Sequence, residues 1–88
     1  MRIKRSGEWL SARVDDQLVM MSVEQGTYVG LSEVGARIWE LIDEPSDVDA
    51  VCARLLQEYQ VDPETCRAEV LAFVSEMQAQ GAIETQAN

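Results

Sequence analysis

The sequence predicts an α+β fold of the winged helix-turn-helix type, a three-stranded antiparallel meander followed by three α-helices. Three observations predict it. The first third of the chain alternates short β-rich runs with tight turns, and the strand pattern ending at Leu31 passes into an amphipathic helix almost without a loop. Two further stretches of helical periodicity follow, each opened by a capping residue. The 88 residues leave room for one domain and one modest core.

Trp9 to Val14, Leu18 to Val23 and Thr27 to Leu31 are rich in Val, Leu, Met, Trp and Tyr and read as the strands. Asp15-Asp16-Gln17 and Glu24-Gln25-Gly26 supply the turns, with Gly26 free to take a positive φ. Ser32 stands where an N-cap is needed, and Glu33 favours the positive end of the helix dipole. Val34, Ile38, Leu41 and Ile42 then recur at helical spacing, Trp39 widens the face, Gly35 permits close approach of another element, and Asp43-Glu44-Pro45 ends the helix. Ser46-Asp47-Val48-Asp49 resembles a capping box and opens a second helix whose apolar face is Val48, Val51, Cys52, Leu55, Leu56 and Tyr59. Asp62-Pro63 opens a third, which runs to about Gln80 before Gly81, and Ile83 is expected to pack back on the core. In that helix Cys66, Val70, Phe73, Val74 and Met77 make a core stripe. Arg67, Leu71 and Val74 make a second stripe along one flank, suited either to a groove wall or to ordinary packing on the sheet. The domain is expected to span 8–84, with 1–7 and 85–88 as flexible tails.

Charge and composition exclude several functions. Residues 6–88 carry four Lys/Arg against sixteen Asp/Glu, a net of −12, and such a body repels phosphate backbones while suiting a basic peptide or partner. The chain has no histidine, no phosphate-binding glycine loop and no paired carboxylates outside turns, so no catalytic constellation is read from it. Cys52 and Cys66 fall on apolar helix faces, read as buried thiols rather than a disulfide, and neither a structural zinc nor any cofactor is expected. No apolar run approaches a membrane span and the basic N-terminus lacks the features of a secretory signal, which places the chain in the cytoplasm.

Tyr28 lies in the third strand, whose second side has no partner in a three-stranded meander. Thr27-Tyr28-Val29-Gly30-Leu31 has no charge and no proline to guard an open edge, so it reads either as an acceptor for an added strand or as an edge covered by the third helix or the N-terminal tail.

Several motifs together resemble one family. They are the apolar strand ending in an acidic turn (Val19 to Glu24), the run Gly26-x-Tyr28-x-Gly30-Leu31-Ser32-x-x-Gly35-x-x-Ile38-Trp39-x-Leu41, the Tyr59-x-Val61 join, and Met77-x-x-x-Gly81-x-Ile83. The chain is similar over nearly its whole length to the PqqD-like domains, or RiPP recognition elements, which bind leader segments of ribosomally made precursor peptides. The resemblance implies a non-catalytic binding protein in which the leader adds as a strand along the third strand, Thr27 to Leu31, with Tyr28, Val29, Arg67, Val70, Leu71 and Val74 walling a cleft against the third helix. Glu33, Glu64 and Glu69 nearby suit a lysine-bearing leader. Among such domains the chain looks most like the free-standing proteins of lasso-peptide biosynthesis, which present the precursor to a separate leader peptidase and whose leaders carry a Tyr-x-x-Pro motif. A peptide chaperone for a radical enzyme, as in pyrroloquinoline quinone synthesis, is the sibling reading. An enzyme-docking subunit and a winged-helix nucleic-acid binder are the readings from other classes, and the scarcity of Lys and Arg on the last helix argues against the second.

Overall fold

The computed structural model describes residues 1–86. Its elements run β1 (Arg2–Arg5), β2 (Trp9–Val14), β3 (Gln17–Ser22), β4 (Tyr28–Leu31), α1 (Glu33–Leu41), β5 (Ser46–Asp47), α2 (Val48–Glu58), α3 (Pro63–Ala79) and β6 (Ile83–Gln86). The meander of the sequence reading is the antiparallel sheet β2-β3-β4, and the three helices follow in the expected order. Ser32, Asp47 and Asp62 cap α1, α2 and α3, accepting from the backbone N–H of Gly35, Asp49 and Thr65.

Alternation builds the sheet's two faces. Leu18, Met20 and Leu31 are buried on the inner face, and Leu10, Val14 and Tyr28 are exposed on the outer one. The inner face meets Ile38 and Trp39 of α1, Val51 and Leu55 of α2, and Val70, Val74 and Met77 of α3 in one continuous core.

The chain departs from expectation at its ends. Residues 2–5, expected as a flexible tail, form the central strand of a second antiparallel sheet ordered β5-β1-β6, and Thr85 and Gln86 belong to its edge strand. The rest of the expected C-terminal tail, residues 87 and 88, lies outside the described residues. The physical reason is that Ile3, fully buried, supplies an apolar anchor beside Ile83, while the basic residues around it find acids brought in from far along the chain. Lys4 pairs with Glu84 at 3.4 Å and Arg5 with Asp43 at 3.4 Å. The Arg5 guanidinium also lies 4.3 Å from the Trp39 ring centroid and donates to the Trp39 carbonyl, so the N-terminal strand is fastened to α1. Asp47 receives the N-terminal ammonium at 3.8 Å and, with Ser46, forms the short strand on the other side of β1.

The helices are tied by a second cation. Arg37 of α1 makes two parallel hydrogen bonds to the Glu58 carboxylate of α2, at 2.7 and 2.8 Å, and Arg54 adds a third. The Arg37 hydrogen bond holds the Glu58 carboxyl below the usual glutamate range. A depressed acid contributes stability that is present above its unfolded value and lost as pH falls through the folded one. The melting temperature should therefore fall as pH drops below about 4.3, the ordinary glutamate value, and a Glu58→Gln variant should fall less over the same window. Ile3→Ala should cost about 2–4 kcal/mol in a urea titration, as for other buried isoleucines, whereas a flexible tail would make the substitution neutral.

Candidate functional site

The β3–β4 hairpin sets the site. Ser22 faces two residues of the returning strand: the Ser22 N–H donates to the Thr27 carbonyl and the Gly26 N–H donates to the Ser22 carbonyl, both at 2.8 Å. With Gly26 at φ +71° this is a bulge of the kind that needs a left-handed glycine. The Ser22 hydroxyl accepts from the Gln25 N–H at 3.1 Å and closes the turn.

The register then decides which backbone groups are free. On β3, Val23 donates to Glu8 outside β2, and Ser22 bonds to Thr27 beside β4. In an antiparallel ladder, bonded and non-bonded pairs alternate. The pairs Met20↔Val29 and Leu18↔Leu31 are therefore hydrogen-bonded, whereas Met21↔Tyr28 and Val19↔Gly30 are not. The N–H and C=O groups of Tyr28 and Gly30 point away from β3, toward an edge that no described strand covers.

Beside this edge lies a groove between α1 and α3. One hollow near the strand is bordered by Gly30, Leu31, Gly35, Phe73, Glu76 and Met77. It continues into a depression of about 380 Å³ whose α3 wall is Glu69, Ala72, Phe73 and Glu76, facing Ser32 and Val34. A further hollow, sharing Val34 and Glu69, ends against Leu55, Tyr59, Val61 and Cys66. Gly35 allows the narrow passage, since a Cβ there would stand 3.2 Å from Phe73 Cε1.

The structure brings together only some of the residues expected here. Val29, Gly30 and Leu31 lie on the edge strand, and Thr27 precedes it at the bulge. The Tyr28 ring, 70% exposed, points to the outer sheet face opposite Met21, so it does not wall the groove. Val70 and Val74 are buried in the core, and Leu71 is half-buried against it. Arg67 pairs with Asp49 in the first turn of α2, which turns the Arg67–Leu71 flank toward α2. The groove wall is the opposite flank of α3, Glu69, Ala72, Phe73 and Glu76, spaced i, i+3, i+4 and i+7. Phe73, read from the sequence as core, sits at the border between the two. The signal that marks this wall is an aromatic residue between two glutamates one turn away on each side, weaker than the apolar periodicity of the Leu71 flank.

Two comparisons bear on this geometry. A family model described as coenzyme PQQ synthesis protein D (PqqD) matches residues 17–83. The chain belongs to the PqqD family. Among solved structures, this PqqD-family chain is similar to TbiB1 in complex with the TbiA(beta) leader peptide, with 32% identity, a TM-score of 0.83, and coverage of 97% of this chain and 99% of that one. It shares its fold with a lasso peptide synthetase B1 complexed with the leader peptide, at 23% identity and a TM-score of 0.79, covering 94% of this chain and 98% of the other. No curated protein matches the chain by sequence. Among the described residues no helix is long and apolar enough to cross a membrane.

The ladder makes a prediction for the free protein. The amides of Val29 and Leu31 should exchange slowly with solvent, and those of Tyr28 and Gly30 fast; the reverse order would mean a register shifted by one residue.

Proposed function

We propose that this PqqD-family protein recognises the leader segment of a ribosomally synthesised precursor peptide, in a lasso-peptide pathway, and presents it to a separate leader peptidase. The observation that carries the reading is the open edge of β4 lying directly beside a groove. An extended peptide laid antiparallel to β4 meets free donors and acceptors at Tyr28 and Gly30, which give affinity with little sequence choice. Its alternate side chains then face the hollows between α1 and α3, which give selectivity. The hollows at Phe73 and at Tyr59 and Val61 supply apolar settings for inward-facing side chains, and a Tyr-x-x-Pro segment reaches two of them by bending between its anchors, since residues three apart face opposite ways in a fully extended strand.

The likeness to structures that hold leader peptides supports the same reading. We read the module as a binder rather than an enzyme: the serine hydroxyl and the thiol that border the groove, Ser32 and Cys66, are hydrogen-bonded to the Gly35 N–H and the Cys52 carbonyl and not to a base. We place it in the cytoplasm, where ribosomal precursors are made. Of the other readings, duplex binding is disfavoured because the chain's net charge is −9 and α3 carries Arg67 alone, already paired with Asp49.

Fluorescence anisotropy with a labelled leader from a precursor gene beside this one tests the proposal, with a DNA duplex as control at the same salt. Saturable binding of the leader alone is expected; binding of the duplex, or of neither, would contradict it. Phe73→Ala should weaken leader binding about ten-fold or more, the loss of a buried aromatic contact at an interface. Leu71→Ser should leave affinity unchanged, each variant being checked by a thermal melt. An effect at Leu71 with none at Phe73 would return the site to the other flank of α3.

A further inference from the structure

We propose that Glu69 and Glu76 make the groove selective for a peptide bearing a lysine or arginine at one fixed position, its cationic group lying over or beside the Phe73 ring. The inference rests on the peptide-binding reading of the groove and adds the chemical class of residue that it prefers.

Six of the chain's seven Lys and Arg residues are engaged elsewhere in the fold. Lys4, Arg5, Arg13, Arg37, Arg54 and Arg67 are held by Glu84, Asp43, Glu40, Glu58 and Asp49, all away from the groove. Among the described residues no cation reaches the carboxylate of Glu69 or Glu76, and neither carboxylate accepts a hydrogen bond. Both are exposed, and what distinguishes them from the other surface acids is that each borders hollows of the groove. Glu69 lines both the central depression and the hollow at Tyr59, and Glu76 lines both that depression and the hollow beside Gly30 and Leu31. Each carboxylate therefore stands where two hollows join, with the half-buried Phe73 ring between them.

Spacing makes the arrangement readable by a strand. Along α3, Glu69 and Phe73 are about 6 Å apart at 1.5 Å per residue, close to the roughly 6.6–6.8 Å between successive same-face residues of an extended peptide. A peptide that seats an apolar side chain in one hollow thus brings its next inward residue near a carboxylate. A cation there gains a charge-assisted hydrogen bond and the face of an aromatic ring, in a groove whose walls displace some of the water that screens an exposed pair. An acidic residue there meets two uncompensated carboxylates.

Selection from a displayed library of random twelve-residue peptides tests this whatever the sequence of the natural leader. Three baits are compared: the wild-type protein, a Glu69→Gln/Glu76→Gln variant, and a control Glu8→Gln/Glu24→Gln variant of the same net charge. Wild type and control should enrich Lys or Arg at one fixed spacing from an apolar anchor, and the groove variant should keep the anchor while losing the basic preference. In a titration of one selected peptide, replacing that Lys by norleucine should cost wild type about five-fold in affinity and the groove variant less than two-fold. Basic residues spread evenly along the peptides, no basic preference, or a preference surviving in the groove variant would overturn the inference while leaving peptide recognition intact. Peptides that bind Phe73→Ala as well as wild type would overturn the reading of the groove itself, and this inference with it.

Discussion

The register of the β3–β4 hairpin is the constraint on which the site depends. Three backbone and side-chain contacts of Ser22, with Gly26 in a left-handed conformation, fix which residue of the returning strand faces which residue of β3. A slip of one residue would bury Tyr28 and Gly30 on the core side and swing the groups of Val29 and Leu31 to the free edge. It would also expose Leu31, which the core holds at 5% exposure. The packing that stabilises the sheet and the orientation of the open edge are thus one property. An edge with no charge and no proline is ordinarily a hazard; here it lies beside a groove.

Electrostatics divides the molecule in a second way. The few cations of an acidic chain serve as fasteners: Arg5 joins the N-terminal strand to α1, Arg37 joins α1 to α2, and Arg67 joins α3 to the start of α2. Each lies at a junction between elements; Arg5 and Arg37 grip their partners at two points and are the more buried, which makes their contacts worth more than the exposed Arg67–Asp49 pair. The cost of this allocation appears in the groove, whose glutamates are left without partners. Architecture and the acidity of the groove follow from one distribution of charge.

The local elements were legible in the sequence because their signals are local. Ser32, Asp47 and Asp62 mark helix starts, Gly26 marks a turn, and β2 and α1 appear within a residue or so of their predicted limits. The β1–β6 pairing was not, because a four-residue strand with one apolar side chain has no hairpin signal, and its partners arrive from the far end of the chain. Within the site, the strand edge was readable from the strand count. The groove wall was not: Glu69, Ala72, Phe73 and Glu76 carry little hydrophobicity as a set, and periodicity ranks the flank containing Leu71 above it. Tyr28 was misplaced for a related reason, since alternation shows that it opposes Val29 but not which of the two faces the helices.

Amide hydrogen exchange on the complex with a leader peptide, resolved residue by residue, tests the central claim most directly. Strand addition along β4 predicts that the amides of Tyr28 and Gly30 become strongly protected when the peptide binds, while those of Val29 and Leu31, already bonded to β3, change little. A bound peptide that leaves Tyr28 and Gly30 exchanging as fast as in the free protein would contradict recognition through this edge.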